Sequence, residues 1–262
     1  MPIDATARVA PSARVHPDAV VGAGCVIGEY CVIESDVVLG EQCLLEPYVY
    51  VKRWTTMGNA NEISASTVLG TDPLDKNFRG ERSYLKIGNG NKIREHFTIS
   101  RATKPEASTV IGDGNFVMTS GHIAHDCKIG NNAVICSCAL IAGYVEIEDQ
   151  AFISGGVVVH QYSKIGRLVM VGGNTRVNSD LPPYFLYSEF DVVAKSVNVV
   201  GMRRAGFGVD EILQAKDAFR ILYRSGLKKT EACERLDSMN NSIATDVSKF
   251  VKASKRGIAS SS

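Results

Sequence analysis

The 262-residue chain has almost no net charge, with 29 lysines and arginines against 28 aspartates and glutamates. A nucleic-acid binder carries a basic patch or stripe, and none stands out here. A long apolar run is also missing. The longest stretch without a charge, Ile129 to Val145, contains Asn131, Asn132, Ser137 and Gly143. It is short and polar for a membrane span, so no stable membrane insertion is expected. The start, Met1-Pro2-Ile3-Asp4, has no basic segment followed by an apolar one. That points away from a secretory signal and toward the cytoplasm. The seven cysteines then read as reduced thiols. Cys136-x-Cys138 lacks zinc-ribbon spacing, and no metal is expected there. Charge asymmetry is local: Pro182 to Ser262 holds 13 basic and 9 acidic residues, a surplus of four.

What the sequence does have is a period of six. From Ile3, every sixth residue to Leu69 is large and apolar; the column resumes at Ile87, Ile93 and Ile99, and again from Ile111 to Val177. Only Asp75, Glu81 and Pro105 interrupt it. A helix has a period of 3.6 and a half-buried strand a period of two, so neither produces a strict six. A solenoid with three faces of six residues does, each column residue pointing inward onto its counterparts in adjoining coils. The 27 aliphatic hexads make about nine coils. One position after the column, glycine recurs (Gly22, Gly28, Gly40, Gly58, Gly70, Gly88, Gly112, Gly130, Gly166), read as permissive backbone at tight corners. Four positions after it sit small residues, including Cys25, Cys31, Cys43 and Cys127, read as compact core fillers.

The pattern resembles the hexapeptide-repeat acyltransferases. The resemblance implies a left-handed parallel β-helix, although the general rule for parallel crossovers gives the right-handed form. It also implies a homotrimer with active sites between adjacent prisms. An acid on the inward column is a costly unpaired charge, so Thr71–Lys86 and Ala102–Thr109 read as loops ejected from the prism. The period ends after Val177, and Pro182-Pro183 marks the change. The reading is a β-helix over 1–181 and an α-helical segment over 182–262. Helices are expected from Val209 to a cap at Gly226, from near Thr230, and around Ile243, Val247, Phe250 and Val251, with a frayed tail after Lys255.

Among five histidines, one cluster stands apart: Gly121-His122-Ile123-Ala124-His125-Asp126-Cys127. Around the inward Ile123 it sets two imidazoles and a carboxylate outward. Stepping by 18 from His125 reaches Gly143 and then Gln161, so these share a column about 4.8 Å apart per coil. A histidine beside a glycine of the next coil offers a general base next to an unobstructed backbone N–H. Asp126 is placed to hold the ring's tautomer. The plainer reading, a hydrated polar face, stays open, as does a zinc site. The γ-type carbonic anhydrases share this solenoid but have His-x4-His where this chain has His122-x-x-His125.

The motifs HIAHDC, GG…HQY (Gly155-Gly156, His160-Gln161-Tyr162), MVGG (Met170–Gly173), NVVGMRRAGF (Asn198–Phe207) and AFRILYRSG (Ala218–Gly226) resemble, over nearly the whole length, the UDP-N-acetylglucosamine acyltransferases of lipid A synthesis. These move an (R)-3-hydroxyacyl group from acyl carrier protein to the 3-hydroxyl of UDP-N-acetylglucosamine. The resemblance implies His125 as base, Asp126 as its partner and Gly143 as oxyanion donor. It implies Asp75, Lys76, His122, Tyr144, His160, Gln161, Asn198 and Arg204 as substrate contacts. Ser137, Gly155 and Gly173 form a column of small residues suited to an acyl groove, and Gly173 matches the chain-length position. No cofactor beyond the carrier protein's phosphopantetheine is implied. An acidic carrier protein fits the basic C-terminal part. Leu74, Asn77, Ser100, Tyr144, Val200 and Ala205 depart from the family pattern; Tyr144 stands where a histidine is usual. Those departures fall on substrate contacts, so a paralogue acylating another sugar nucleotide is the alternative. An acetyl-CoA-dependent hexapeptide enzyme and a non-catalytic scaffold are the remaining classes.

Overall fold

The computed structural model describes residues 3–261. Short strands, mostly of two residues, alternate with corners from Arg8 to Val177, and each pairs in parallel with the strand a coil later, as Arg8–Val9 does with Val26–Ile27. Among the described residues this gives three sheets of 12, nine and eight strands, the three faces of a prism. The expected column is the core: Val21, Ile27, Ile33 and onward to Val177 are buried. Each such side chain removed from water contributes roughly 1.5–3 kcal/mol before ordering costs are set against it.

The corners are not turned by the glycine column. The left-handed residue comes three after the aliphatic and is mostly not glycine: Tyr30, Asp36, Tyr48, Trp54, Tyr144 and Tyr162 have φ between 57° and 64°. A backbone bond to the coil below holds them there, as in Tyr48 N–H to Glu29 O (2.9 Å) and Tyr162 N–H to Gly143 O (3.1 Å). The glycines one position after the aliphatic serve a different need. A Cβ on Gly28 meets Leu45 O at 2.8 Å, and one on Gly112 meets the carbonyl carbon of Gly130 at 2.8 Å. Backbone stacks on backbone there, leaving no room for a side chain.

The cysteine column is as expected, with one addition. Each buried thiol donates to a carbonyl of its own or an adjoining coil, for example Cys31 Sγ to Glu46 O (3.1 Å) and Cys127 Sγ to Ala142 O (3.1 Å). In the middle coils buried asparagines take over that column. Asn91 donates its backbone N–H (2.9 Å) and side-chain amide (3.0 Å) to Asn61 Oδ1, and Asn115 does the same to Asn91. The ladder ends where Ala133 N–H donates to Asn115 Oδ1.

Both interruptions leave the prism, with shorter exposed parts than the sequence suggests. Tyr84–Ile87 and Ser108–Ile111 are strands paired with each other, so the loops run over 72–83 and 102–107. Arg101 pins the first loop: it is buried, paired with Asp72, and lies between the rings of Trp54 (4.9 Å) and Phe78 (5.1 Å).

Beyond the coils, Phe185–Ser188 extends one face in parallel and Val193–Val197 returns antiparallel. Four helices follow: α1 (Val199–Arg204), α2 (Val209–Arg224), α3 (Lys229–Asp237) and α4 (Ser242–Ala253). Gly226, with φ +71°, follows α2 as expected of a C-terminal stop. Phe185 meets Phe219 edge-on at 5.1 Å, and one apolar core runs from the prism into the helices. The tail is ordered rather than frayed. Ala259 N–H bonds Asp180 O (3.0 Å), and Ser260–Ser261 pairs with Val193–Ala194, because this last strand covers an otherwise open sheet edge. No helix among the described residues is long and apolar enough to cross a membrane.

Candidate active site

His122–Ile123 is a two-residue strand whose inward Ile123 fixes the next corner, so His125 and Asp126 stand where the chain turns from one face to the next. His125 is only 8% exposed. Its Nδ1 lies 2.9 Å from Asp126 Oδ2. The same oxygen accepts from Thr103 twice, from the backbone N–H (3.1 Å) and the hydroxyl (2.8 Å). Burial raises the Asp126 carboxyl, but the bonds from His125 and Thr103 outweigh it and hold the group below its ordinary value. Asp126 is therefore an anion that only accepts, and Nδ1 of His125 carries the proton. Among the described residues nothing bonds to Nε2, which is left as a basic lone pair.

Gly143 sits one coil along. Tyr144 N–H donates to His125 O (3.0 Å), which joins the two corners. A Cβ on Gly143 lies 2.8 Å from His125 Nε2, 2.9 Å from Nδ1 and closer still to Cε1, so the imidazole occupies the space a side chain needs. Within the described residues the Gly143 N–H has no acceptor. Imidazole and free amide thus stand side by side on adjoining coils, as the 18-residue step predicts.

Tyr144 meets His125 edge-on (5.3 Å) and stacks on Tyr162 (4.7 Å), while its hydroxyl is 2.9 Å from Thr103 Oγ1. His122 shares the outer face: Nδ1 is 2.7 Å from Thr98 Oγ1, and Nε2 is buried without a partner. Burial, more than the neighbouring His125, lowers the His122 pKa and keeps it neutral. His160 and Gln161 lie one coil beyond Gly143 and two beyond His125, both exposed. Arg256 from the C-terminal tail donates to His160 Nδ1 (2.9 Å) and to Gln161 O (3.1 Å). An arginine only donates, so Nδ1 accepts and the His160 proton sits on Nε2. Asp126, Tyr144, Tyr162, Asp180 and Arg256 share a cleft of about 490 Å³.

Ser137, Gly155 and Gly173 stack in one column at the preceding corner of the prism, where a Cβ on Gly155 meets only Ser137 O (3.3 Å) and one on Gly173 only Gly155 O (3.4 Å). Between the two corners lies the face carrying Leu140 (47% exposed) and Val158 (45% exposed), in register with His122. Four residues stand apart, with no hydrogen bond or ion pair to the His125 cluster. Asp75 and Lys76 are in the first loop, where the Asp75 carboxylate accepts from Asn77 N–H (2.8 Å). Asn198 is buried as the α1 cap, its amide spent on Gly201 N–H (2.9 Å) and Leu168 O (2.8 Å). Arg204 is exposed in the last turn of α1. Sequence reasoning passed over Thr103, Thr98, Leu140, Val158 and Arg256. Thr103 falls in an ejected loop where no period applies, whereas the exposed aliphatics at 140 and 158 follow from the 18-residue step. No group of three or more His, Cys, Asp or Glu among the described residues converges as metal ligands do.

The family model described as UDP-N-acetylglucosamine O-acyltransferase, domain 2, matches residues 180–259, and that of the bacterial transferase hexapeptide repeats matches 108–143. An acyl-acyl-carrier-protein–UDP-N-acetylglucosamine O-acyltransferase of Gloeothece citriformis is 42% identical over 74% of this chain and 70% of its own. Its counterpart from Verminephrobacter eiseniae is 38% identical over 78% and 80%. Among solved structures, a UDP-N-acetylglucosamine acyltransferase from Bacteroides fragilis superposes with a TM-score of 0.92 at 32% identity, covering 95% of this chain and 99% of that one. One from Arabidopsis gives 0.86 at 33%, covering 96% and 99%. This likeness fixes the coil as the left-handed parallel β-helix.

Proposed function

The chain belongs to the UDP-N-acetylglucosamine O-acyltransferase family and is an acyltransferase, and from that premise we propose how its residues divide the work. The reaction moves an acyl group, a (R)-3-hydroxyacyl group on this reading, from the thioester of acyl carrier protein to the 3-hydroxyl of UDP-N-acetylglucosamine, the step that opens lipid A synthesis. His125 Nε2 takes the hydroxyl proton as the sugar oxygen attacks the thioester carbonyl carbon. The C–O bond forms, and the Gly143 N–H donates to the resulting oxyanion, an effect of roughly 2.7–4 kcal/mol per donor. When the C–S bond breaks, the departing phosphopantetheine thiolate takes the proton back from Nε2. Asp126 stabilises the imidazolium between these steps. The thioester is already activated, so the chemistry needs no metal and no cofactor beyond the donor's own phosphopantetheine.

The single observation that carries this reading is the His125 ring against side-chain-free Gly143, with Asp126 on Nδ1 and Nε2 unbonded. The acyl chain lies over Ser137, Gly155 and Gly173, flanked by Leu140 and Val158. His122, Tyr144, His160 and Gln161 line the sugar side. Asp75, Lys76 and Arg204, which one chain leaves apart from the cluster, join it across the interface of a homotrimer, while Asn198, its amide already spent, acts by holding the start of α1 in place. The setting is the cytoplasm, where both substrates are soluble.

The test is a matrix of purified enzyme against hydroxyacyl carrier proteins of graded length and acetyl-CoA, with UDP-N-acetylglucosamine and its 3-amino analogue as acceptors. Turnover restricted to carrier-protein donors with UDP-N-acetylglucosamine is expected. Preference for the amino sugar points to the diverged acceptor that Tyr144 suggests, and acetyl-CoA turnover overturns the donor assignment.

A further inference from the structure

Two residues outside the His-Asp pair show a hydrogen-bond order that one proton count settles. Thr103 Oγ1 has a single hydrogen. It is 2.8 Å from Asp126 Oδ2 and 2.9 Å from the Tyr144 hydroxyl. Asp126 is ionised and only accepts, so the Thr103 proton goes to it. The Tyr144 hydroxyl must then donate to Thr103 Oγ1. Burial raises the Tyr144 pKa above its ordinary value, so the phenol keeps the proton this order requires. The chain therefore reads in one direction: Tyr144 O–H to Thr103 Oγ1, Thr103 O–H to Asp126 Oδ2, and His125 Nδ1–H to that same oxygen.

We propose that Thr103 and Tyr144 are positioning residues that set the tautomer and basicity of His125 through Asp126. The inference rests on His125 being the base. Thr103 anchors the carboxylate twice, by N–H and by hydroxyl, so Oδ2 stays 2.9 Å from Nδ1 and the lone pair stays on Nε2. These donors also draw charge from the carboxylate, which limits how strongly Asp126 favours the imidazolium. Tyr144 terminates the chain and, stacked on Tyr162, fixes the corner at which the chain sits. The second ejected loop thereby has a function: it delivers Thr103.

Thr103→Val keeps the shape and the backbone donor but loses the hydroxyl; Tyr144→Phe loses only the terminal donor. In Thr103→Val, kcat is expected to fall roughly 10–100-fold, the scale of one lost charge-assisted bond. KM for both substrates stays within about twofold, and the acid limb of kcat/KM moves to higher pH as the bare carboxylate favours imidazolium. Tyr144→Phe shifts the limb the same way by less, and Thr103→Ser restores both readouts. Nitrogen-15 spectra of the His125 ring, assigned by its absence in His125→Gln, are expected to show Nδ1–H in the wild type and mixed tautomers in Thr103→Val. This reading needs no turnover. An unshifted pH limb and an unchanged tautomer in both variants overturn the proposal, even where activity falls. Should Thr103→Val not fold, the two readouts in Tyr144→Phe decide. Full turnover by His125→Gln is a separate result: it removes the base itself, not the network.

Discussion

A methyl group added at Gly143 is the sharpest perturbation the structure offers. Its backbone is not in the left-handed region, so alanine incurs no conformational strain. The methyl instead lands 2.8 Å from His125 Nε2 and 2.9 Å from Nδ1, well inside van der Waals contact. Relief requires the ring to move by several tenths of an ångström to about 1 Å, and the ring is held by the Asp126 bond and by 92% burial of its surface. Overpacking of this kind destabilises by about 1–3 kcal/mol. A displacement of about 1 Å in a reacting group lowers rate by about 100-fold, or roughly 2.7 kcal/mol at the transition state. Gly143→Ala is thus expected to fold, with kcat/KM for acyl transfer reduced about 100-fold. Gly208→Ala is the control, because its methyl meets only Glu211 Oε2 at 3.8 Å and leaves His125 untouched. Steady-state kinetics with radiolabelled acceptor read both variants. Equal kcat/KM in Gly143→Ala and wild type refutes the packing of ring on glycine as the origin of activity.

Three further outcomes follow from particular contacts. Asn91→Ala removes the middle rung of the buried amide ladder: the Asn115 backbone N–H loses its acceptor, while Asn61 Oδ1 keeps only the backbone N–H of residue 91, at a cost of about 1–3 kcal/mol in chemical denaturation; a change under 0.5 kcal/mol contradicts the ladder's role. Burial pushes the Cys127 thiol up to about 12, whereas Cys138 is exposed. A thiol reagent at pH 8 is expected to label Cys138 first and to spare Cys127 until the protein unfolds, as mapped by mass spectrometry; early labelling of Cys127 counts against the packed column. The Asp126 carboxyl is held low in the folded protein, so its contribution is full above the unfolded value of about 3.9 and is lost as pH falls through the folded value below it. The part of the wild-type stability advantage over Asp126→Asn that comes from this carboxylate therefore shrinks as pH falls below about 4. An advantage that goes on growing below about pH 4 has the wrong sign.

The prism was legible in the sequence because its core repeats every six residues and nothing else in protein structure does. The 18-residue step also carried His125 to Gly143 and ordered Ser137, Gly155 and Gly173, since a regular solenoid turns sequence distance into spatial distance. Local chemistry was read less well. The glycines at 28 and 112 looked like corner residues, yet the left-handed turn falls two positions after the glycine column on residues such as Tyr48 and Tyr162, where backbone bonds to the adjoining coil overcome the usual bias. The small-residue column suggested apolar filling and concealed the Asn61–Asn91–Asn115 ladder, because a buried amide is acceptable only when another amide answers it. Thr103 and Arg256 lie where the period has stopped. Their contacts to Asp126 and His160 depend on the path of a loop and a tail, which no spacing encodes. The closing strand at Ser260–Ser261 escaped notice for the same reason.

The base is the point on which the rest depends. His125→Ala, shown by circular dichroism and thermal melting to keep the wild-type fold, should be assayed with hydroxyacyl carrier protein and UDP-N-acetylglucosamine across pH 6 to 9. A loss of at least about 100-fold in kcat is expected, with the acid limb of the pH profile abolished. Wild-type turnover with that limb intact contradicts it.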